Sequence, residues 1–329
     1  MIARERSSER GAALVTVLMI VAVMSAVALG LSQSVLASTE RARSLDAQAQ
    51  LRLYAAAAEE VAKAQLTELA LQTGGRLSSD LPGFGEVQTI PVDGGSVRVQ
   101  VRDKTNCFNV NTESTGTAQS DEAGEQSETL VSILEGAGLA QGDAVALSAA
   151  VGDWIDENRI SRTSGAEDAY YLGLSLPYRT SSQPLANLTE LLAIRGFDRD
   201  TFEDLRPILC VLPEHTANPS PALNLNTLEA KDATRLRWAV SGAIEDTEAR
   251  SIILSRPLGG WPDVDTFLQD PIVARIAPEQ IRLNRLSVVS SLLEVDAEVA
   301  YRDEVMQIRL LFELEAGQPV RVLRRERIS

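Results

Sequence analysis

From Gly11 to Thr39 no charged side chain appears, and Ala12 to Leu31 is apolar apart from Thr16 and Ser25. At ~1.5 Å of rise per residue, twenty such residues make ~30 Å of helix, the thickness of a bilayer's hydrocarbon. Beyond this run, Leu45, Ala49, Leu53, Ala57 and Val61 recur every fourth position among Arg41, Arg43, Asp46, Glu59 and Glu60. That period predicts a narrow apolar stripe along one face of a helix reaching about residue 71, and no proline interrupts the chain before Pro82.

The period then changes. Thr73-Gly74-Gly75 stops the helix and Leu81-Pro82-Gly83 opens a loop. Val87 to Pro91 and Ser96 to Arg102 alternate apolar and polar residues around Asp93-Gly94-Gly95, which predicts a β-hairpin. The alternation returns at Leu293 to Tyr301, Glu304 to Glu315 and Pro319 to Arg327, a three-stranded meander. A two-stranded hairpin is marginal alone, so it is expected to pair with these strands.

Between the two strand groups the pattern is helical. A polar linker, Asn111 to Ser127, lacks core residues and is expected to be mobile. Short helices are expected at 128–137, 142–157, 185–194, 199–205, 227–240, 246–255 and 263–268, capped by Asn187, Asp198, Asn226 and Asp263 or by nearby glycines. The fold class is α+β: a long N-terminal helix and one antiparallel sheet, interrupted by a large inserted all-α domain.

Arg4, Arg6 and Arg10 precede the apolar run, so the positive-inside rule keeps that end in the cytoplasm and sends the remainder across the membrane. A secretory signal peptide also starts basic, but its core is ~7 to 15 residues and ends in a small-x-small site. Ala26 and Ala28 mimic such a site only inside the run, so an uncleaved anchor is the reading. The junction Arg10-Gly11-Ala12-Ala13-Leu14 resembles the processing site of type IV pilins and type II secretion pseudopilins. That resemblance implies cutting after Gly11 by a prepilin peptidase and methylation of the new N-terminus at Ala12. Coiled-coil pairing would explain the stripe too, but not the basic leader and cleavable glycine. The family usually carries glutamate at the fifth mature position, where this chain has Thr16. An intramembrane carboxylate needs a partner, which in the family is thought to be a neighbouring subunit's N-terminal amine. Its absence is typical of the K-type minor subunit and fits a place at the filament tip.

Composition narrows the function. Net charge is −15, which disfavours nucleic acid and anionic lipid through long-range repulsion. Cys107 and Cys210 are the only cysteines and no C-x-x-C occurs, so a redox catalyst or zinc site is not indicated. Outside the cytoplasm the pair reads as a disulfide, worth ~4 to 5 kcal/mol on the chain-entropy model, with two buried free thiols as the alternative. His215 is the sole histidine, in a proline-rich loop, and no glycine-rich phosphate loop is present, so nothing recommends an enzyme.

Several separated segments, in one order, carry a closer resemblance. Arg102-Asp103 with Cys107-Phe108-Asn109-Val110-Asn111, Asp153-Trp154-Ile155-Asp156-Glu157, Gly165-Ala166-Glu167-Asp168 and Gln183-Pro184-Leu185-Ala186 come first. Pro207 to Pro213, Asn224-Leu225-Asn226-Thr227 and Gly260-Trp261 follow. Together they resemble the K-type minor pseudopilin of type II secretion. The resemblance implies a type IV pilin-like architecture, with a prepilin leader at 1–11 and an N-terminal helix at 12–72. The sheet would be supplied by 73–110 and 286–329, and the inserted helical domain would occupy 111–285. It further implies a single-pass protein of the inner membrane with its bulk in the periplasm, and partners among the I and J minor pseudopilins, other pseudopilins and the inner-membrane assembly platform. The implied role is to cap and begin the pseudopilus.

The family also binds calcium. Between Asp103 and Tyr170 there are thirteen acidic and three basic residues, a net of −10. Asp153, Asp156 and Glu157 lie at i, i+3 and i+4, so one helix face presents three carboxylates, whose repulsion calls for a cation. A hard divalent ion takes six to eight oxygens. The candidate ligands are Asp156, Glu157, Glu167 and Asp168, with Thr163 or a backbone carbonyl nearby. Spacing does not match an EF-hand, and the residues alone favour a solvated acidic face paired with Arg159 and Arg162; it is the resemblance that points to calcium. Leu191 to Phe197 and Leu225 to Ala230 are similar to helix-hairpin-helix units, which leaves a pilus-like DNA-uptake or adhesion system as the alternative, although Asp198, Asp200, Glu203 and Asp204 oppose phosphate there.

Overall fold

The computed structural model describes residues 6–114 and 130–328. Helix α1 runs unbroken from Arg6 to Thr73, as expected of a segment without proline. It ends where Gly74 and Gly75 take the left-handed conformation at φ +62° and +78°. The Gly75 amide closes the last turn on the Ala70 carbonyl at 3.1 Å.

Strands β1 (Val87–Val92) and β2 (Gly95–Asp103) form the expected hairpin around Gly94 at φ +74°. The chain returns in β7 (Leu292–Tyr301), β8 (Glu304–Glu313) and β9 (Arg321–Arg327). The five strands make one antiparallel sheet in the order β1-β2-β7-β8-β9, so hairpin and meander pair directly through β2 and β7. Gly95 is required there, because a Cβ would lie 1.9 Å from the Ala300 carbonyl oxygen.

One sheet face carries α1. Leu51 and Ala55 pack with Val97, Val299 and Met306, while Leu66 packs with Leu293, Val295, Leu310 and Phe312. The opposite face is charged, with Arg102 and Arg309 both bonded to Asp296. Nearer the inserted domain it becomes apolar, where Leu292, Leu311 and Leu323 meet Cys107, Cys210 and Leu212.

The insert leaves the sheet at Asp103 and returns at Leu292. It has two apolar cores. The first surrounds Leu134, Leu147, Trp154, Tyr171, Leu191 and Phe202; the second surrounds Leu228, Leu236, Ile252, Trp261 and Phe267. Helical residues 130–136 (α2), α3 (Gln141–Ile155), α4 (Asp168–Tyr171) and α5 (Arg199–Leu205) build the first core. The second is built by α6 (Ala233–Ala239), α7 (Asp246–Leu254) and α8 (Val264–Phe267).

The junction is pinned by Asp103. Its Oδ2 accepts from Thr227 Oγ1 and Ser290 Oγ, each at 2.7 Å, and from Asn224 Nδ2 at 3.0 Å. Asn106 and Asn224 bond reciprocally, Asn224 N to Asn106 Oδ1 at 2.7 Å and Asn106 Nδ2 to Asn224 O at 3.1 Å.

Four expectations are corrected. The insert is not purely helical: β3 (Phe108–Asn109) pairs with β4 (Leu209–Cys210), and β5 (Leu223–Asn224) with β6 (Leu286–Ser287), both parallel. The linker does not begin at Asn111, because Asn111, Thr112 and Glu113 are buried and Asn111 is bonded to Leu185; the rest of the linker, 115–127, lies outside the described residues. The helix expected at 227–240 begins as a 3-10 turn at Ala230–Asp232 and becomes α only at Ala233. Asn226 is therefore not its cap; its side chain accepts from Trp261 N at 2.8 Å and donates to Trp261 O at 2.9 Å, fixing the Gly260 loop. The fourth correction, at the end of α3, bears on the acidic loop.

Candidate functional site

Helix α3 stops at Ile155 and Asp156 is extended at φ −74°, ψ 157°, so Asp153, Asp156 and Glu157 do not share a helix face. Asp153 instead points inward, fully buried, and accepts from Arg162 N at 3.1 and 3.2 Å and Ser161 Oγ at 3.1 Å. The chain folds back on it closely. A Cβ on Gly165 would lie 2.1 Å from Asp153 Oδ2, and one on Gly152 would lie 1.6 Å from the Arg162 guanidinium. These two glycines are the local signal for the tight loop.

Arg162 is the cation inside this loop. Its guanidinium sits 3.8 Å from Asp153 and 3.5 Å from Asp156, and donates to the Glu113 carbonyl at 3.3 Å. Asp156 Oδ1 accepts from Asn158 N at 3.1 Å, and Asn158 Oδ1 from Ile160 N at 2.7 Å, two consecutive side-chain turns. Burial raises the Asp156 carboxyl, Arg162 pulls it down and Asp153 pushes it up again.

Glu167 is buried. Its Oε2 accepts from Asp168 N at 3.2 Å, whereas Oε1 has no hydrogen-bond partner. Burial raises its carboxyl, and repulsion from Asp153, Asp156 and Asp168 adds to the rise. Asp168 is satisfied: despite burial, the Thr180 amide at 3.0 Å, its hydroxyl at 3.1 Å and Arg179 hold the carboxyl below the usual range. Glu157 and Thr163 are exposed and make no hydrogen bond or ion pair with the described residues.

The structure thus brings Asp156, Glu167 and Asp168 around one loop and leaves Glu157 and Thr163 on its rim. Among the described residues no three acidic, histidine or cysteine side chains are drawn together tightly enough to hold a metal. The chemistry nevertheless suits a hard cation, because a buried carboxylate oxygen without a partner faces repulsion from three other carboxylates. Sequence reasoning missed Asp153 as the loop's internal anchor and Glu113 behind Arg162, since both required knowing where the chain turns back.

Cys107 and Cys210 are joined in a disulfide that spans 103 residues of chain and fastens β4 beside the end of β2. Gly11 and Ala12 lie in the first turns of α1, while residues 1–5 lie outside the described ones. From Leu14 to Leu36 every side chain of α1 is exposed, in a helix apolar and long enough to cross a bilayer. The stripe behaves differently from the core face. Leu45, Leu53 and Val61 remain 67%, 60% and 48% exposed, while Leu51 is 2% exposed against the sheet.

Two profiles described as "Type II secretion system (T2SS), protein K" match residues 106–214 and 223–288. Type II secretion system protein K of Pectobacterium carotovorum subsp. carotovorum is 30% identical over 331 residues, covering 98% of this chain and 97% of the relative. The chain belongs to the type II secretion system protein K family. Another protein K, from Klebsiella pneumoniae, is 30% identical over 81% of each chain. The fold of this chain also matches a crystal structure of the GspK-GspI-GspJ complex from the enterotoxigenic Escherichia coli Type 2 Secretion System. The TM-score is 0.74 at 26% identity, over 88% of this chain and 99% of that one. The single apolar N-terminal helix fits a single-pass membrane anchor of such a system.

Proposed function

We propose that this family member is the minor pseudopilin at the tip of a periplasmic pseudopilus, where it helps nucleate the filament together with I- and J-type subunits. The observation that carries the reading is the free apolar stripe of α1. Leu45 and Leu53 are left uncovered by the chain's own sheet, and Val61 is half exposed at the edge of an apolar groove shared with β1 and β2, although leucine and valine side chains gain about 1.5 to 3 kcal/mol each from full burial. Neighbouring helices of other pseudopilins would cover them. The bulk of the insert, bonded to one end of the sheet, suits a terminal subunit better than a repeating one. Thr16 supports the same placement, since it offers no intramembrane carboxylate to a preceding subunit. That the fold neighbour was crystallised with GspI and GspJ supports partners of those types here.

In this reading the basic leader stays cytoplasmic, prepilin peptidase cuts between Gly11 and Ala12, the new terminus is methylated, and the inner-membrane assembly platform draws the anchored subunit into the filament. The folded part lies in the periplasm, a compartment in which the Cys107–Cys210 bond persists. Calcium belongs to the same proposal. Asp156, Glu167 and Asp168 would have to draw closer together to hold it with loop carbonyls, and Glu157 and Thr163 to turn in from the rim, relieving the uncompensated Glu167 oxygen.

Co-expression with I and J subunits tests the assembly. A stable ternary complex recovered in stoichiometric yield is expected; recovery of protein K alone, with I and J pairing without it, would overturn the tip assignment.

A further inference from the structure

A cleft of about 460 Å³ opens where the insert meets the sheet, with Lys104, Arg102, Lys231 and Arg235 on its walls beside Asp103, Glu229, Asp232 and Glu294. Its cations are not equally provided for. Arg102 and Arg309 bind Asp296, Lys231 sits 2.9 Å from Glu229, and Arg235 sits 3.4 Å from Asp232. Lys104 alone among them has no ion pair, and its ammonium makes no hydrogen bond with the described residues. This happens in a chain with forty-six acidic residues and only three lysines.

The nearby carboxylates are already engaged. Glu294 is shared by Arg309 at 3.6 Å and Arg102 at 3.9 Å. Asp232 accepts from Glu229 N at 2.9 Å besides pairing with Arg235, and Asp103 holds the junction. Behind the cleft, Arg235 is 9% exposed, and its Nε has no acceptor at all. Burial lowers the Lys104 amine from its ordinary value; Glu294 opposes this, and repulsion from Arg235, Arg309 and Arg102 adds to it. A partly desolvated ammonium whose neighbouring carboxylates are each bonded to another group is costly unless a further anion joins it.

We propose that this cleft binds a small oxyanion, a carboxylate or phosphate group, on the Lys104 ammonium, with the guanidinium of Arg235 supplying further positive field behind it. The volume falls in the range of small-molecule pockets, about 300 to 1,000 Å³, so it accommodates an organic acid or a phosphate ester as well as a bare ion. The site lies against the Asp103 junction between sheet and insert, so an occupant would bridge the two.

The scarcity of lysine makes the test direct. Reductive methylation with ¹³C-formaldehyde of the full chain in detergent preserves each charge and labels Lys63, Lys104 and Lys231, apart from the N-terminus. Titration with inorganic phosphate and with citrate, against chloride at matched ionic strength, should move the Lys104 resonance saturably, with half-saturation near or below about 1 mM. The Lys63 and Lys231 resonances should follow ionic strength only. A response to phosphate alone assigns the site to phosphate compounds, one to citrate alone to carboxylic acids, and one to both supports the shared chemistry. Lys104→Gln, at a half-buried position, should weaken binding measured by calorimetry at least tenfold without lowering Tm. A Lys104 resonance that shifts no more than Lys63 in either salt, or unaltered binding in Lys104→Gln, would overturn the proposal.

Discussion

Glu59, in the middle of α1, accepts the Nε of Arg325 from the last strand with both carboxylate oxygens, at 2.8 and 2.6 Å. The pair fixes the rotation of α1 on the sheet. With Glu59 turned inward and 9% exposed, Leu53 turns outward, so this bond between the middle and the end of the chain acts with the packing of Leu51, Ala55 and Leu66 to set which apolar side chains stay uncovered.

Arg325→Ala should therefore destabilise beyond what its own exposure suggests, because it leaves a buried carboxylate without its partner. The expected loss is about 1 to 3 kcal/mol, reduced by screening on the arginine side, and is read as a fall in Tm. Arg325→Lys should recover part of it. Unchanged Tm in both variants would show that the pair does not hold the helix.

The two faces of α1 predict opposite outcomes. Leu51→Ala removes a side chain packed against Val97, Val299 and Met306 and should cost about 2 to 5 kcal/mol of stability in denaturant unfolding. Leu53→Ala, two residues on, should change the isolated chain by less than about 0.5 kcal/mol. Equal losses would mean that both stripes are internal.

Burial pushes the Glu113 carboxyl up to about 7 from an ordinary 4.5, while Arg162 and the Ser148 hydroxyl at 3.3 Å pull it down. The native state therefore holds this proton more tightly than the unfolded chain. The contribution is fully present below pH 4.5 and is lost as pH rises to about 7, a change of about 3 kcal/mol by linkage. Comparing the pH dependence of stability in wild type and Glu113→Gln isolates the effect; the variant's curve should be flatter between these limits. Parallel curves would show that Glu113 titrates as an exposed carboxylate.

Calcium should raise Tm and a chelator should lower it, since a ligand at a hundred times its Kd stabilises by about 2.7 kcal/mol. Glu167→Gln should remove the response, because it replaces the buried oxygen that lacks a partner. An identical Tm with calcium and with chelator would return the loop to a self-neutralised cluster around Arg162.

Most of the architecture was legible in the sequence because hydrophobic period and turn chemistry are local. The unbroken α1, the hairpin around Gly94 and the C-terminal meander all follow from spacing, and the disulfide from an even pair outside the cytosol. What was not legible depends on long-range geometry. The spacing of Asp153, Asp156 and Glu157 suggests one helix face, but the helix ends at Ile155, Asp156 is extended, and Asp153 accepts instead from the returning Arg162 amide. Asn226 looked like a helix cap, and the loop at Trp261 claims it instead. Lys104 is unremarkable in sequence; only the fold shows that nearby carboxylates are already committed.

The central claim is that the outward stripe of α1 is an assembly face. Placing a photo-crosslinking amino acid at Leu53, and separately at Leu51, in cells that express the whole secretion system tests it most directly. The account predicts an adduct with another pseudopilin from position 53 and none from position 51. No adduct from position 53, or adducts of equal yield from both, would contradict it.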